Sequence, residues 1–474
     1  MAQEKQIVSA THVWLTVLLL VSIIAGVASV LVNASYIIFG IFLIINVVFI
    51  IKYPMWGLLV YLVIFMLRPG EMYPILAPLR VELLTGLLVM VTVVLHQRHH
   101  KGKVTFPADN ITLSILAFLA AMCITVFVSY EKSLTFGEVQ EFIKLLVFYY
   151  LIISIIDTKK KFVAFVTVYL LAIGYISFDA FKLYLAGGFV HTMGVDRLQG
   201  TTSAGGDPNS LANTLASTIP FVVASVFYFK RVPVKVVLSI LAVFMAALIT
   251  VTASRGGMVA FAAVIMGAIA FSRHKAAAIA AVIIFALAGW TVLPDQYKDR
   301  YRTLTDVEDI DQTSSGRWAI WESGVNMIIT RPILGVGAGA FFIANGSGDF
   351  GPPRYMQAHN LYIQLLATTG VVGGLCWFAF IYNFIGRLQR LRRKISQSGR
   401  YRWIRIYSTS FLISLIALFI SGMFAHSLYR YTWYVLAALT TVMWRLAVEE
   451  APDEESRPAD ESSGQTIGVK AQSP

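Results

Sequence analysis

Apolar runs long enough to cross a lipid bilayer recur along most of this chain. A transmembrane helix needs roughly 20 predominantly apolar residues, and stretches such as 208–229 and 405–424 reach that length with almost no charged side chain. Hydrophobic residues make up 57% of the 474 residues and charged residues only 14%. The sequence therefore predicts a polytopic integral membrane protein.

About 12–14 spans are expected, since several early runs are shorter than a normal span. The runs lie at 12–32, 35–51, 54–68, 80–96, 110–129, 142–156, 162–185, 208–229, 234–252, 256–271, 275–293, 359–386, 405–424 and 430–447. The predicted fold class is an all-α helical bundle over residues 1–447, with a large helical loop on its outer side. The first run is too long for a signal-peptide core, so we expect it to be a retained span.

The distribution of basic residues predicts how the bundle is oriented. The formal net charge is +12, and the cations cluster in short segments between the apolar runs. These segments are QRHHKGK (97–103), DTKKK (157–161), SRHK (272–275) and RLQRLRRK (387–394). With the N-terminus inside, all four lie on the cytoplasmic side, as the positive-inside rule requires. The charge thus indicates contact with anionic membrane lipid, and no nucleic-acid partner is expected.

Four polar segments are then expected on the outer side. They are RPGEMYP (68–74), the acidic stretch 131–142, and loops at about 187–206 and 294–358. The C-terminal tail, 448–474, is acidic and poor in large apolar side chains, so we expect it to be disordered and cytoplasmic.

Two arginines are the strongest candidates for binding an anion on the outer side. Arg255, in the sequence SRGG, is expected at a tight turn where Gly256 and Gly257 leave its side chain approachable. Arg317 is expected in the first turn of an amphipathic helix that lies in the membrane interface, with Ser314 or Ser315 as its cap. Guanidinium stays charged and donates to phosphate oxygens in a bidentate fork. The alternative for each arginine is contact with a lipid headgroup or a helix carbonyl.

Arg197 is a third candidate and is ranked below the other two. It precedes the sequence DPNSLAN, in which Asp207 is expected to cap a helix that starts at Pro208. The free N–H groups of that helix are a further candidate for holding phosphate. The nearby cluster YKDRYR (297–302) is most simply an anchor for a span, and gripping a charged lipid is its alternative role.

His359 is the candidate base. If a helix starts at about Ala358, the imidazole lies in its first turn, where the helix N-terminus favours the neutral form. A neutral imidazole accepts a proton from an attacking hydroxyl group. The alternative is a capping or interfacial histidine. The histidines and carboxylates lack the spacing of a metal site, so neither a metal nor another cofactor is expected.

Taken in order, SRGG, SSGRWAIW, RPILGVGAGAF and AHNLYIQLLATTGVVG resemble the O-antigen ligase and O-antigen polymerase superfamily. The resemblance covers roughly residues 195 to 390, and its most specific element is the sequence His359-Asn360-Leu361-Tyr362. It implies an enzyme in a bacterial inner membrane that transfers a glycan from undecaprenyl pyrophosphate to a hydroxyl acceptor on the periplasmic side.

The resemblance also implies roles for individual residues. His359 is the general base, while Arg255, Arg317 and, more weakly, Arg197 bind pyrophosphate. Asn360, Tyr362 and Arg354 are supporting candidates. Cations placed at the leaving group stabilise its growing charge, and a single displacement predicts inversion at the anomeric carbon without a metal.

Three kinds of acceptor remain open. A sugar of the lipid A core would make the protein a ligase, a second carrier-linked chain would make it a polymerase, and a protein side chain would make it an O-oligosaccharyltransferase. From another class, a transporter or flippase for lipid-linked sugars would also need outer arginines. Asp179 lies inside a span, one turn before Lys182, and is expected to form an ion pair rather than a proton relay.

Overall fold

The protein is almost entirely helical wherever its computed structural model describes it, over residues 34–102, 108–192, 194–202, 206–302, 307–395, 401–425 and 427–449. The helices are α1 (Ala34–Lys52), α2 (Pro54–Leu67), α3 (Pro69–Met72), α4 (Val81–Lys101), α5 (Asn110–Thr125), α6 (Lys132–Ile155), α7 (Lys159–Leu185), α8 (Pro208–Tyr228), α9 (Val232–Val251), α10 (Arg255–Phe271), α11 (Lys275–Val292), α12 (Asp295–Arg302), α13 (Val307–Thr330), α14 (Phe341–Ser347), α15 (Leu361–Ile395), α16 (Arg402–Gly422) and α17 (Tyr431–Glu449). A 3₁₀ helix covers Pro74–Leu79.

The predicted all-α polytopic fold is confirmed. Seven helical segments in the described ranges are long and apolar enough to cross a membrane, and four more apolar helices are shorter. Each predicted span from 35–51 onward coincides with a helix. The first predicted span, 12–32, and residues 450–474 of the predicted tail lie outside the described residues.

Helix α6 and a short hairpin differ from the predicted pattern. Helix α6 starts at Lys132, where the Glu131 side chain accepts a hydrogen bond from the Ser133 N–H, so the acidic stretch belongs to a helix. Apolar periodicity marks only the later part of this helix. The loop after α7 contains strands β1 (Val190–Thr192) and β2 (Val195–Arg197), which pair antiparallel. This hairpin is a small exception to the all-α prediction.

The basic segments meet at one end of the bundle, called here the basic end. Arg387 in α15 forms an ion pair with Asp109 at the start of α5. Lys159 lies 5.8 Å from the centroid of the Trp403 ring, and Arg392 lies 4.9 Å from that of Phe271. The connections that carry the site candidates lie at the opposite ends of the same helices, called here the His359 end. This separation agrees with the predicted orientation.

A break in α15 ties the long loop to the bundle. Gly370 has φ 62° and ψ −167°, so the regular hydrogen-bond ladder is interrupted there. The preceding loop replaces the missing bonds: the N–H groups of Val336 and Gly337 donate to the carbonyls of Ala367 and Thr368, at 2.9 and 3.0 Å. The N–H of Val371 donates to the Pro332 carbonyl at 2.8 Å. Backbone groups at membrane depth need such partners.

Gly370 is required by this arrangement. A Cβ atom at this position would lie 2.2 Å from the Ile333 carbonyl oxygen, and the positive φ disfavours other residues. The Gly-rich sequence after Arg331 therefore follows the broken helix closely. As a result, the loop that joins α13 to α15 is fixed at the His359 end.

Candidate active site

His359 lies just before α15 rather than in its first turn, which corrects the prediction that the helix starts at about Ala358. Asn360 is the capping residue, because its Oδ1 accepts hydrogen bonds from the N–H groups of Tyr362 and Ile363 at 2.9 and 3.2 Å. His359 itself has φ 46°, a left-handed conformation that is rare outside glycine. On its other side, Trp321 Nε1 donates to the Ala358 carbonyl at 2.9 Å. The strained backbone is thus fixed on both sides.

The imidazole of His359 favours its neutral form. Its side chain is half-buried, and burial lowers its pKa below the ordinary value of 6.5, with a further lowering by the positive charge of Arg317. The carboxylate of Asp207 acts in the opposite direction but does not reverse the shift. The direction of this shift is the one predicted, although desolvation and a neighbouring cation cause it, rather than the helix N-terminus named in the prediction.

Arg255 is the first residue of α10, as the sequence suggested for a tight turn. Ser254 caps the helix by accepting a hydrogen bond from the Gly257 N–H at 3.1 Å. The Nε atom of Arg255 is buried and has no hydrogen-bond partner in the described part of the chain. Gly256 and Gly257 allow close packing at this turn, whereas we expected them to leave the Arg255 side chain approachable. A Cβ atom on Gly256 would lie 2.7 Å from Phe424, and one on Gly257 would lie 2.3 Å from Ala212.

Arg317 lies in the middle of α13 rather than in a first turn. Since this helix starts at Val307, Ser314 and Ser315 are inside it and neither caps it, which corrects the prediction. The Arg317 side chain remains exposed overall. Partial desolvation and then the charge of Arg255 lower its pKa. Part of the predicted apolar face is buried, with Ile320 1% exposed, whereas Trp318 is 64% exposed.

Arg197 lies at the end of β2 and supports the turn beneath Arg255. Its Nε donates to the Thr252 carbonyl at 2.9 Å, and its Nη2 donates to Asn209 Oδ1 at 3.0 Å. The same Asn209 oxygen accepts a hydrogen bond from the Ser254 hydroxyl at 2.7 Å. Burial lowers the pKa of Arg197, and the Asp207 carboxylate opposes this shift without reversing it. Protein groups therefore use part of its hydrogen-bonding capacity.

Asp207 and Arg430 hold the start of α8 at this end. The Asp207 carboxylate accepts hydrogen bonds from the N–H groups of Asn209 and Ser210, at 3.0 and 2.9 Å, so the predicted cap is present. Burial raises the pKa of Asp207, but these bonds outweigh that effect and keep the pKa below its usual value. The same bonds occupy the N–H groups that we expected to be free for phosphate. Arg430 donates to the Ser210 carbonyl at 2.9 Å.

Arg300 joins the candidate site, although its sequence cluster was expected to be an anchor for a span. Helix α12 is attached through its tyrosines: Tyr297 donates to the Asp196 carbonyl at 2.6 Å and Tyr301 to the Thr250 carbonyl at 2.8 Å. Burial, followed by the charges of Arg255 and Arg197, lowers the pKa of Arg300 to about 10. The charged sequence YKDRYR was the available signal, but only the fold brings it to the other arginines.

The remaining candidates have separate positions. The Tyr362 hydroxyl donates to the Phe419 carbonyl of α16 at 3.0 Å, so it helps to fix the first turn of α15. Arg354 has an exposed side chain, and its N–H donates to the Asn345 carbonyl. Among the residues that the structure describes, no group of three or more histidine, cysteine or acidic side chains is arranged to hold a metal ion.

The arrangement defines a class of protein: a polytopic helical membrane protein with a cationic, histidine-containing site at one end of its bundle. Residues 240–378, which contain Arg255, Arg317 and His359, match the family model described as O-antigen ligase. The resemblance inferred from the sequence is thereby confirmed over this segment.

Two relatives support the same assignment. A protein of Rickettsia conorii is 21% identical over 202 residues, which are 41% of this chain and 45% of the relative. A protein of Rickettsia prowazekii is 22% identical over 205 residues, which are 41% of this chain and 46% of the relative. Both have the name "Putative polysaccharide ligase". The aligned region spans about half the length of each relative.

Proposed function

We propose that the protein is an O-antigen ligase-type glycosyltransferase that moves a glycan from undecaprenyl pyrophosphate to a hydroxyl group of a lipid A core sugar. One observation carries the proposal. Arg255 is close enough to Arg317 for its charge to lower the pKa of Arg317, and the charge of Arg317 in turn disfavours protonation of His359. A site of this kind offers positive charge to a diphosphate and a neutral base to an alcohol.

The proposed reaction is a single displacement. His359 takes the proton of the acceptor hydroxyl as its oxygen attacks the anomeric carbon, and the bond from that carbon to the pyrophosphate oxygen breaks. The electron pair of the broken bond stays on the pyrophosphate, where Arg255 and Arg317 stabilise the added negative charge. Attack opposite the leaving group inverts the anomeric configuration.

Arg300 and Arg197 have different parts in this proposal. Arg300 extends the positive field around the pyrophosphate, since its charge acts on the same region as that of Arg255. Arg197 mainly positions Arg255, because it binds the Thr252 carbonyl and Asn209 beneath the α10 turn. Asn360 and Tyr362 position His359 by fixing the start of α15.

The location in the cell follows from the same proposal. Placing the basic end in the cytoplasm puts the His359 end on the periplasmic face of a bacterial inner membrane. The polyprenyl tail of the donor then stays in hydrocarbon while its sugar reaches the aqueous side. With this orientation both termini are cytoplasmic.

Purified full-length protein in detergent provides the test. It is mixed with undecaprenyl-pyrophosphate-linked glycan and, in separate reactions, with lipid A core, with a second carrier-linked glycan, or with an acceptor protein. We expect lipid A core to gain the mass of the glycan. Gain by the carrier-linked glycan would identify a polymerase, and gain by the protein would identify an O-oligosaccharyltransferase.

A transporter or flippase of lipid-linked sugar is the alternative from another class. It predicts glycan movement across vesicles without a new covalent bond, and only a modest effect of His359→Gln. The acidic residue inside α7 gives this alternative little support, since Asp179 is paired with Lys182 at 3.1 Å. Transport without transfer to any acceptor would replace the enzyme proposal.

A further inference from the structure

A cavity lies at the basic end, on the opposite side of the bundle from His359. Its volume is about 350 Å³, within the range of small-molecule sites. It forms where the end of α1 meets α2, and where α4 ends beside the connection from α6 to α7. The proposed transfer reaction uses none of the residues around it.

One part of the cavity lining is polar and carries positive charge. Its polar lining consists of Lys52, His96, Gln97, Ser154, Asp157 and Lys161. The carboxylate in this lining, Asp157, is already paired with Lys161 at 2.7 Å. Lys52 therefore leaves the lining with net positive charge even when His96 is neutral. The lining brings together residues that are far apart in the sequence, with His96 and Gln97 near the end of α4 and Asp157 and Lys161 beside the start of α7.

Two buried polar groups show that the cavity is more than a charged surface. The hydroxyl of Ser154 is buried and has no hydrogen-bond partner in the described part of the chain. Gln97 is only 8% exposed although it lies near a helix end. A buried hydroxyl without a partner costs free energy unless a bound group satisfies it. A phosphate oxygen is a suitable acceptor for a hydroxyl beside a lysine.

The remaining lining favours a lipid over a free anion. Met55, Val93 and Ile155 give the cavity an apolar wall. Nearby, α1 exposes Phe49 and Ile51, which are 46% and 57% exposed and therefore suited to contact with acyl chains. Basic pockets between helices on the cytoplasmic side are a known setting for anionic headgroups.

We propose that this cavity binds the phosphate headgroup of an anionic phospholipid in the cytoplasmic leaflet. Lys52 supplies the charge, Ser154 donates a hydrogen bond to a phosphate oxygen, and the apolar wall contacts the upper part of the acyl chains. This site lies at the opposite end of the bundle from the proposed transfer site. Failure of one proposal would therefore leave the other unaffected.

The test uses purified full-length protein, stripped of lipid and titrated with phosphatidylglycerol while retained lipid is counted by native mass spectrometry. We expect Lys52→Ala to weaken retention about fivefold, since one basic residue near a membrane surface contributes about that factor. Ser154→Ala should weaken it as well without changing the charge. The matched control is Lys230→Ala, an exposed lysine at the same end but outside the cavity.

The competing ligands decide between explanations. Phosphatidylcholine, which has a phosphate but no net charge, should be retained less than phosphatidylglycerol, and inorganic phosphate should not displace the lipid. Displacement by inorganic phosphate alone would overturn the proposal in favour of a small-anion site. Equal weakening by Lys230→Ala, or no effect of either cavity variant, would show only general attraction to a basic surface and would also overturn it.

Discussion

Two arginines at the basic end and two at the His359 end differ in whether they have partners within the protein. At the basic end, Arg387 forms an ion pair with Asp109, and Arg445 donates to the carbonyls of Ile153 and Ile156. At the His359 end, no hydrogen bond or ion pair joins Arg255 or Arg317 to any residue in the described ranges, and the charge of Arg255 lowers the pKa of Arg317. Arg387 and Arg445 therefore have partners that stabilise the fold, whereas Arg255 and Arg317 have none in the described ranges and repel each other.

This difference distinguishes arginines that stabilise the fold from arginines that are placed to bind a ligand. Like charges brought together without counterions destabilise a folded protein, so such a cluster persists where a ligand makes use of it. A carboxylate partner, as for Arg387, would neutralise the positive field that a diphosphate needs. The comparison therefore predicts that substitution of Arg255 or Arg317 changes activity, whereas substitution of Arg387 changes stability.

The largest effect is expected at His359 itself. His359→Gln keeps a polar side chain but cannot accept a proton in the same way, and loss of a general base typically lowers a rate by about 10²–10⁴-fold. We expect glycan transfer to fall by that factor, measured as product mass, while binding of the carrier-linked donor stays within about twofold. A variant that also loses donor binding would mean that His359 holds the substrate rather than reacting with it.

Arg255→Ala and Arg387→Ala test the comparison directly. Removing one preorganised cation from a developing anion costs about 10²–10³-fold in rate. We therefore expect Arg255→Ala to lose transfer by that factor and to keep or raise its melting temperature, because repulsion between arginines is relieved. Both quantities are measured on the same detergent preparation.

Arg387→Ala should show the reverse pattern. Activity per folded molecule should stay near that of the unchanged protein, while the melting temperature falls, since Asp109 is left without its ion-pair partner. If Arg255→Ala melts lower than Arg387→Ala, the arginines at the His359 end hold the fold together and the comparison is wrong.

Asp109→Ala tests the basic end from the other partner. The Asp109 side chain caps α5 by accepting from the Thr112 N–H at 2.8 Å, in addition to binding Arg387, which is only 12% exposed. Leaving a mostly buried charge without its partner costs about 3 kcal/mol. We expect that loss in the free energy of unfolding, measured by denaturant titration. Glu322→Ala, an exposed residue in α13, serves as a control that should change little.

Much of the fold could be predicted from the sequence because the bilayer imposes a length on each apolar run. The basic segments also predicted which helix ends share a side. In the candidate site, Arg255 and His359 were identified from short local sequences. Arg317 was linked to Arg255 and His359 through the family resemblance, which depends on the order of the short motifs along the chain.

The rest depends on contacts between distant residues. After the break at Gly370, backbone N–H groups of α15 donate to the carbonyls of Pro332 and Ile333. No local sequence pattern reveals these contacts. Arg300 reaches the other arginines only because two tyrosine hydroxyls fasten α12 to β2 and α9. Helix α13 starts at Val307, before the expected cap at Ser314 or Ser315, because its early polar residues obscure the apolar periodicity.

The smallest effect expected is a shift in pH dependence. His359 in the folded protein has a pKa below 6.5, so between that pKa and 6.5 the unfolded chain binds more protons than the folded one. Its contribution to stability is therefore fully present above pH 6.5 and declines as the pH falls through the lowered value. The proposed rate declines over the same range, because the base becomes protonated.

Arg317→Gln removes a positive charge that lowers the His359 pKa. We expect the acid limb of the transfer rate, plotted as kcat/KM against pH, to move to higher pH, although burial keeps part of the lowering. Arg354→Gln removes an exposed arginine from the loop before α15 and should leave the acid limb where it is. Equal movement in both variants would mean that the general charge of the loop sets this pKa. A limb that stays in place in Arg317→Gln would mean that another group controls the rate, and the role of Arg317 beside His359 would have to be abandoned.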